Sequence, residues 1–462
     1  MPASSAAQIL ERLATGAASS AELEQRLGQS QSTVSRLLRQ LIASGQVMRI
    51  GSRRGARYAL RRAVEGIGAQ WDLRRIDEQG QVHELGTLHS LAGDEYVFEA
   101  STDTFSWGGL THGLPYYLQD QRPAGFLGRA VPARYPELAL PQRVVDWSDD
   151  HYLRYLTQRG SDTVGDLVLG DRALDGALQA MHERSGLRDD ERARRYPELA
   201  QQVMEGGLPG SSAHGEHPKF VALLEGPPVR HVLVKFSPSL RTRVGERWGD
   251  LLVSEHLAHE VLRGAGVAAA ASRIERFDDR VYLETVRFDR ADRTGRVGVT
   301  SLYAIDSSLY GKLDNWIDAG KRLLADGRLD EDALANIRLL ATFGALIANT
   351  DRHFGNLACF DLYDGRFTLA PVYDMLPMLY APEHDELPAR AFVPLAPNAD
   401  NLRQYARARA LAERYWQICA ADARISAEFR GIAAANLGVL EALPRTGAYV
   451  SAIIPRHSGR ST

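Results

Sequence analysis

At 462 residues, with 44% hydrophobic and 24% charged, the chain is too long for one ordinary core and has a globular composition, which excludes wholesale disorder and implies two or three domains. Two cysteines, Cys359 and Cys419, exclude a structural zinc site, and the absence of a signal-like start or a run of about 20 apolar residues points to a soluble cytoplasmic protein that spans no membrane. The formal net charge of -3 hides an asymmetry: residues 1–62 carry ten arginines against Glu11, Glu22 and Glu24, leaving 45 basic and 55 acidic residues for the rest.

Ile9, Leu10 and Leu13 mark a first helix closed by Gly16. Ser19 and Glu22 have the spacing of a capping box for a short helix ending at Gly28. Ser30 caps a third helix, Gln31 to Ser44, with Val34, Leu37, Leu38, Leu41 and Ile42 on its buried face. Val47–Ile50, the basic turn Gly51–Gly55 and Ala56–Leu60 then read as strand, turn and strand. Three short helices and a basic hairpin resemble a winged helix-turn-helix, so residues 1–62 are expected to bind DNA. Gln31, Ser32, Ser35 and Arg36 suit base edges, Arg39 shares their face, and Arg53, Arg54 and Arg57 suit phosphates.

Residues 66–145 read as a small strand-rich unit, with candidate strands at Trp71–Ile76, Val82–Gly86 and Tyr96–Ala100. Its histidines lack metal-ligand spacing, and no chemistry is assigned to it.

Residues 146–290 contain the glycine- and serine-rich stretch Glu205–Lys219. It is not a Walker A loop, because no Lys-Ser/Thr follows Gly215, but its backbone N–H groups suit phosphates. Phe220–Leu224 and His231–Phe236 read as paired strands. Lys235 ends an apolar run, where an unpaired ammonium is costly, so a buried anion is expected beside it. The helical segment Trp248–Arg263 carries Glu255, and Arg280–Arg290 reads as a strand and an interlobe hinge whose backbone would pair with adenine. A strand Lys and a helix Glu are two parts of a protein-kinase site.

Residues 291–450 read as a mostly helical lobe, followed by a tail at 451–462. The apolar helix Leu334–Ala348 delivers the chain to Asp351. Asp351 and Asn356 have the spacing of a kinase catalytic loop. Asp364-Gly365 signals a two-residue hairpin, and pairing Tyr363 with Arg366 would carry Asn356 opposite Tyr373, beside Asp374. An amide oxygen and a carboxylate brought together suit Mg²⁺ that also binds phosphates.

The Ser211–Lys219 loop, Val232-Leu233-Val234-Lys235-Phe236, Arg287-Phe288-Asp289-Arg290, Asn349-Thr350-Asp351-Arg352-His353 with Asn356, and Ala370-Pro371-Val372-Tyr373-Asp374 occur in that order. Together they resemble the HipA family of bacterial serine/threonine kinases, the toxins of toxin-antitoxin systems, over roughly residues 65–440. With its DNA-binding-like head the chain is most similar to the long single-chain branch of that family. The resemblance implies an α+β, protein-kinase-like two-lobed HipA fold with a winged helix-turn-helix, using ATP and Mg²⁺. It implies Asp351 as catalytic base, Asn356 and Asp374 as Mg²⁺ ligands, and Lys235, oriented by Glu255, on the ATP phosphates. Ala213, His214 and Gly215 would belong to the phosphate loop, and Val286, Phe288 and His353 would adjoin the nucleotide. Ser211 or Ser212 would be autophosphorylated, inactivating the kinase. Val286 stands where a hinge Glu is common, and His214 where a Gly is frequent. Family substrates include glutamyl- and tryptophanyl-tRNA synthetases, so a protein substrate and an antitoxin are the expected partners. The alternative is a nucleotide-sensing transcriptional regulator with little or no phosphotransfer.

Overall fold

Serine caps define the head. The structure is a computed structural model and describes residues 4–52, 55–102, 109–183, 185–205, 217–383 and 385–444. Helices α1 (Ser5–Leu13), α2 (Ser20–Leu27) and α3 (Gln31–Ala43) are each capped by the serine before them, Ser4, Ser19 and Ser30. Ser4 accepts from the Ala7 N–H and Ser30 from the Thr33 N–H, while Ser19 and Glu22 close the expected capping box. Gly28, at φ 61°, ends α2 in the left-handed turn that glycine takes without strain. Ile9, Leu13, Leu23, Val34, Leu38 and Leu41 fill a small core. Strands β1 (Ala18–Ser19), β2 (Val47–Ile50) and β3 (Arg57–Leu60) flank it in the order β1-β3-β2, completing a winged helix.

The wing does not stop at Leu60. Arg61 bridges Leu91, the Arg62 N–H donates to Ser90 O at 3.0 Å, and the Ala92 N–H donates to Leu60 O at 2.9 Å. Ala17, Met48, Ala59, Leu91 and Val97 pack the joint. Arg62 holds Asp150 through bonds of 2.7 and 2.8 Å, and the Ala17 N–H donates to the buried Glu95 carboxylate at 2.7 Å. Glu95→Ala leaves that amide without its acceptor, at an expected loss of about 1–3 kcal/mol. Hydrogen exchange would register it as faster exchange across the joint, at Ala17 and Ala92.

Strands β4 (Gln70–Ile76), β5 (Val82–Leu91), β6 (Glu95–Ala100), β7 (Gly109–His112) and β8 (Leu167–Leu169) form an antiparallel sheet of order β7-β6-β5-β4-β8. Helices α4 (Tyr116–Gln119), α5 (Gly125–Arg129), α6 (Val131–Arg134), α7 (Asp149–Arg159) and α8 (Asp171–Glu183) accompany it. Because Leu167–Leu169 pairs with β4, this middle unit continues past residue 145.

Helix α9 (Arg192–Glu205) leads to β9 (Lys219–Leu224), β10 (Arg230–Phe236), α10 (Arg243–Gly264), β11 (Ser272–Phe277) and β12 (Arg280–Val286), with sheet order β11-β12-β10-β9. Alternation along β10 divides its work: Val232, Val234 and Phe236 pack with Tyr282 against Tyr196 of α9, leaving Leu233 and Lys235 on the face toward α10.

The second lobe contains β13 (Arg290–Ala291), β14 (Gly295–Arg296), β15 (Val299–Ser301), α11 (Leu302–Leu309), α12 (Trp316–Ala325) and α13 (Glu331–Leu346). After α13 come β16 (Ala358–Asp361), β17 (Phe367–Leu369), α14 (Leu402–Ala421) and α15 (Ala427–Glu441). Phe343, Tyr415 and Trp416 lie in its core, and Trp416 Nε1 satisfies the Leu346 carbonyl at 3.0 Å. Among the described residues no helix is long and apolar enough to cross a membrane.

One expectation fails by a single residue. The β16–β17 ladder pairs Cys359 with Leu369, Phe360 with Thr368 and Asp361 with Phe367, and the Leu362 N–H donates to Arg366 O at 3.1 Å. The loop holds three residues, Tyr363 to Gly365, because Tyr363 (φ 64°) joins Gly365 (φ 87°) in left-handed backbone. Asn356 therefore does not face Tyr373 across a ladder. It ends a short 3₁₀ turn, Phe354–Asn356, before the strand begins.

Candidate active site

Lys235, 6% exposed, donates to both oxygens of Glu255, at 2.8 and 2.9 Å, and to the carboxylate of Asp374. The buried anion expected beside it is thus a pair of carboxylates. Burial alone would strip the proton from Lys235, but the Asp374 and Glu255 charges outweigh it and hold the pKa above its ordinary value. Burial pushes Glu255 up to about 7 against the pull of Lys235. Burial also works to raise Asp374, yet the Lys235 and Lys219 ammoniums keep it well below the usual carboxylate range. Asp374 sits at φ 50°, in the left-handed region that aspartate enters more readily than most non-glycine residues.

Asn349 links this triad to the catalytic loop. Buried at the end of α13, it donates from Nδ2 to Asp374 O at 3.3 Å and accepts the Asp351 N–H at Oδ1, at 2.9 Å. Asn356 Nδ2 donates to Asp351 O at 2.8 Å, and Tyr373 Oη donates to Gly355 O at 2.6 Å. Asp351, Asn356 and Asp374 therefore share one hydrogen-bond network, although the ladder does not place them opposite one another. The Asp351 carboxylate itself is exposed, with His353 Nε2 at 3.9 Å.

With Nδ2 of Asn356 committed, its Oδ1 is left to accept a ligand. One amide oxygen and one carboxylate match the partial protein shell that Mg²⁺ takes when phosphates complete it. Among the described residues no group of three or more His, Cys, Asp or Glu is arranged to hold a metal by itself.

Phe288 lies against Tyr373 (ring centroids 5.7 Å apart) and edge-on to Phe360 (6.0 Å), joining the exit of β12 to the hairpin. In the expected hinge, the Val286 and Arg287 N–H groups are already used, on Ala271 O at 2.8 Å and His231 O at 2.9 Å. Ser211, Ser212, Ala213, His214 and Gly215 lie outside the described residues, as do Arg53 and Arg54. On α3, Gln31, Ser32, Arg36 and Arg39 are exposed and Ser35 is half-buried. Arg57, assigned to phosphate, gives its Nη2 to Ala17 O at 2.6 Å and ties β3 to the start of β1.

Two residues escaped the sequence reading. Lys219 is the direct cross-strand partner of Lys235 and shares its face, and its charge acts on Asp374 and Glu255. Pairing the two strands and following their alternation could have revealed it. Asn349 stands two residues before Asp351, but only its side-chain bonds to Asp374 and Asp351 show that it bridges two segments.

Comparison with known proteins agrees along the chain. Residues 1–57 match the MarR family, residues 67–178 the YjjJ-like toxin middle domain, and residues 211–435 the HipA-like C-terminal domain. Toxin YjjJ of Escherichia coli (strain K12) is 35% identical over 432 residues, 92% of this chain and 95% of that protein. Among solved structures, a chain from the Shewanella oneidensis MR-1 complex of HipA, HipB and operator DNA gives a TM-score of 0.49 at 14% identity, covering 82% of this chain and 97% of its own. The Helicobacter pylori proinflammatory kinase CtkA gives 0.35 at 13% identity, covering 49% and 87%. On the sequence matches, the chain belongs to the YjjJ-like toxins, with a MarR-type winged helix ahead of a HipA-like C-terminal domain.

Proposed function

We propose that this toxin is an ATP-dependent serine/threonine protein kinase that modifies a cytoplasmic protein and itself, and that its head binds DNA. The observation that carries this reading is the buried Lys235–Glu255 pair, bonded to the half-buried Asp374 and joined through Asn349 to Asp351. A buried lysine fixed by a helix carboxylate is a positioned cation for ATP phosphates. Mg²⁺ held by Asn356 and Asp374 would neutralise charge on those phosphates. Asp351 is exposed to an incoming hydroxyl while its main chain is pinned on both sides, so it can orient that hydroxyl and take its proton. The autophosphorylated residue is Ser211 or Ser212, and the protein substrate belongs to the class of aminoacyl-tRNA synthetases suggested by the family. Incubating wild type with γ-labelled ATP and bacterial lysate tests the reading, because a kinase labels itself and a discrete protein band. No labelled protein at any Mg²⁺ concentration would favour the nucleotide-sensing regulator instead.

For the head, Arg36→Ala combined with Arg39→Ala is expected to weaken duplex binding and lower the salt dependence by about 1 unit of log–log slope for each phosphate that is no longer neutralised. Fluorescence anisotropy across a salt series reads this directly. Unchanged affinity and unchanged slope together would remove α3 from the DNA interface.

A further inference from the structure

Tyr363 sits where the local sequence gives it least reason to be. Asp364-Gly365 alone favours a two-residue turn, yet the chain takes a three-residue loop with Tyr363 in left-handed backbone. A β-branched or bulky residue persists there only when its surroundings over-determine it, and the surroundings do. The Tyr363 N–H donates to Asp361 Oδ1 at 2.7 Å, and its hydroxyl donates to the Asp166 carboxylate of the middle domain. Arg75 of β4 covers the ring at 5.0 Å. Gly298 opens the space: a Cβ there would collide with the Tyr363 hydroxyl.

Neighbouring contacts grip the same sheet. Tyr116 of α4 donates to Asp361 Oδ2 at 3.2 Å and packs edge-on against Phe367 at 6.2 Å. Asp120 accepts from Ser301, which pairs with Ala358 across β15 and β16. Asp166 and Asp361 are 3% and 7% exposed, so these are interior bonds for which water does not compete.

The consequence falls on the ladder. A one-residue slip of β17 along β16 would turn the buried Phe367 outward and shift the chain entering Ala370–Asp374 by one position. Asn356 precedes this hairpin and Asp374 follows it, so their relative placement depends on its register. We propose that Tyr363, seated in the middle domain, is a positioning residue for the metal-binding segment, fixing the register that sets Asp374 relative to Asn356. This rests on the kinase reading for its metal.

The test uses the full chain with Tyr363→Phe and, separately, Asp166→Asn. Tyr310→Phe, which removes an exposed hydroxyl bond to Asp326 elsewhere in the lobe, is the control. Two quantities are measured: amide exchange over residues 357–374, and the Mg²⁺ concentration giving half-maximal labelling at saturating ATP. Both socket variants are expected to exchange faster in the hairpin and to need about 10-fold more Mg²⁺, with the KM for ATP unchanged and the control unaffected. Unchanged exchange overturns the proposal, whatever the activity. Faster exchange with an unaltered Mg²⁺ requirement also overturns it, because the socket would then be structural alone. If wild type transfers no phosphate, the kinase reading fails by itself, and Mn²⁺ binding with ATP, followed by electron paramagnetic resonance, reads the same displacement. Equal Mn²⁺ affinity in wild type and variants then overturns the positioning role, and absence of Mn²⁺ binding to wild type overturns both readings.

Discussion

Asp351→Ala is expected to slow phosphate transfer from γ-labelled ATP by about 100-fold or more while leaving the KM for ATP and the thermal midpoint unchanged. The separation follows from which atoms of Asp351 are structural. Its N–H and carbonyl bind Asn349 and Asn356, and both survive the substitution. Its side chain is half exposed and its carboxylate faces the exposed His353 ring at 3.9 Å, so removing it deletes the proposed base with little loss of packing. Asp351→Asn should behave alike, since the amide keeps the shape and lacks the basicity. Equal labelling by wild type and variant would eliminate the base role, and a lowered thermal midpoint would show that the carboxylate is structural after all.

Lys235→Met is expected to abolish transfer and to destabilise the chain as well, by about 3–5 kcal/mol, because it leaves the buried Glu255 carboxylate without its cation beside a second carboxylate, Asp374. Glu255 in this variant would hold its proton to higher pH, since burial remains and the lysine's pull is gone. A raised carboxyl pKa means that the folded protein binds more protons than the unfolded chain, so the variant's stability should fall as pH rises from the ordinary glutamate range through and beyond 7. Adding Glu255→Leu to Lys235→Met should restore most of the stability and none of the activity. Chemical denaturation at several pH values, with labelling assays alongside, measures all three outcomes. Full activity in Lys235→Met would remove the lysine from phosphate binding.

The elements that were legible in the sequence are those whose signals are local. The Ser19–Glu22 capping box, the Ser30 cap and the apolar strand ending in Lys235 each lie within a few residues, and each is found in the structure. Glu255 lies on the helix where a kinase-type site needs a partner for Lys235, and the two are bonded. The hairpin register was not legible, because the Asp166 that receives the Tyr363 hydroxyl comes from a different domain and leaves no periodic trace near the turn. Arg57 looked like one more phosphate arginine because nothing in its neighbourhood announces the Ala17 carbonyl it binds. Side-chain type showed what chemistry was available, and only long-range packing showed which groups were already occupied.

The seam at Leu60, where the wing strand runs on into the middle sheet, has a bearing on how DNA would be read. A head on a slack tether lets two bound copies absorb an extra base pair between their half-sites by swivelling. A head welded to its body cannot, and each added base pair turns one copy by about a tenth of a helical turn relative to the other. If the head binds DNA as proposed, spacing between sites would become part of the address, set by the stiffness of the protein and not by the bases proposed for α3.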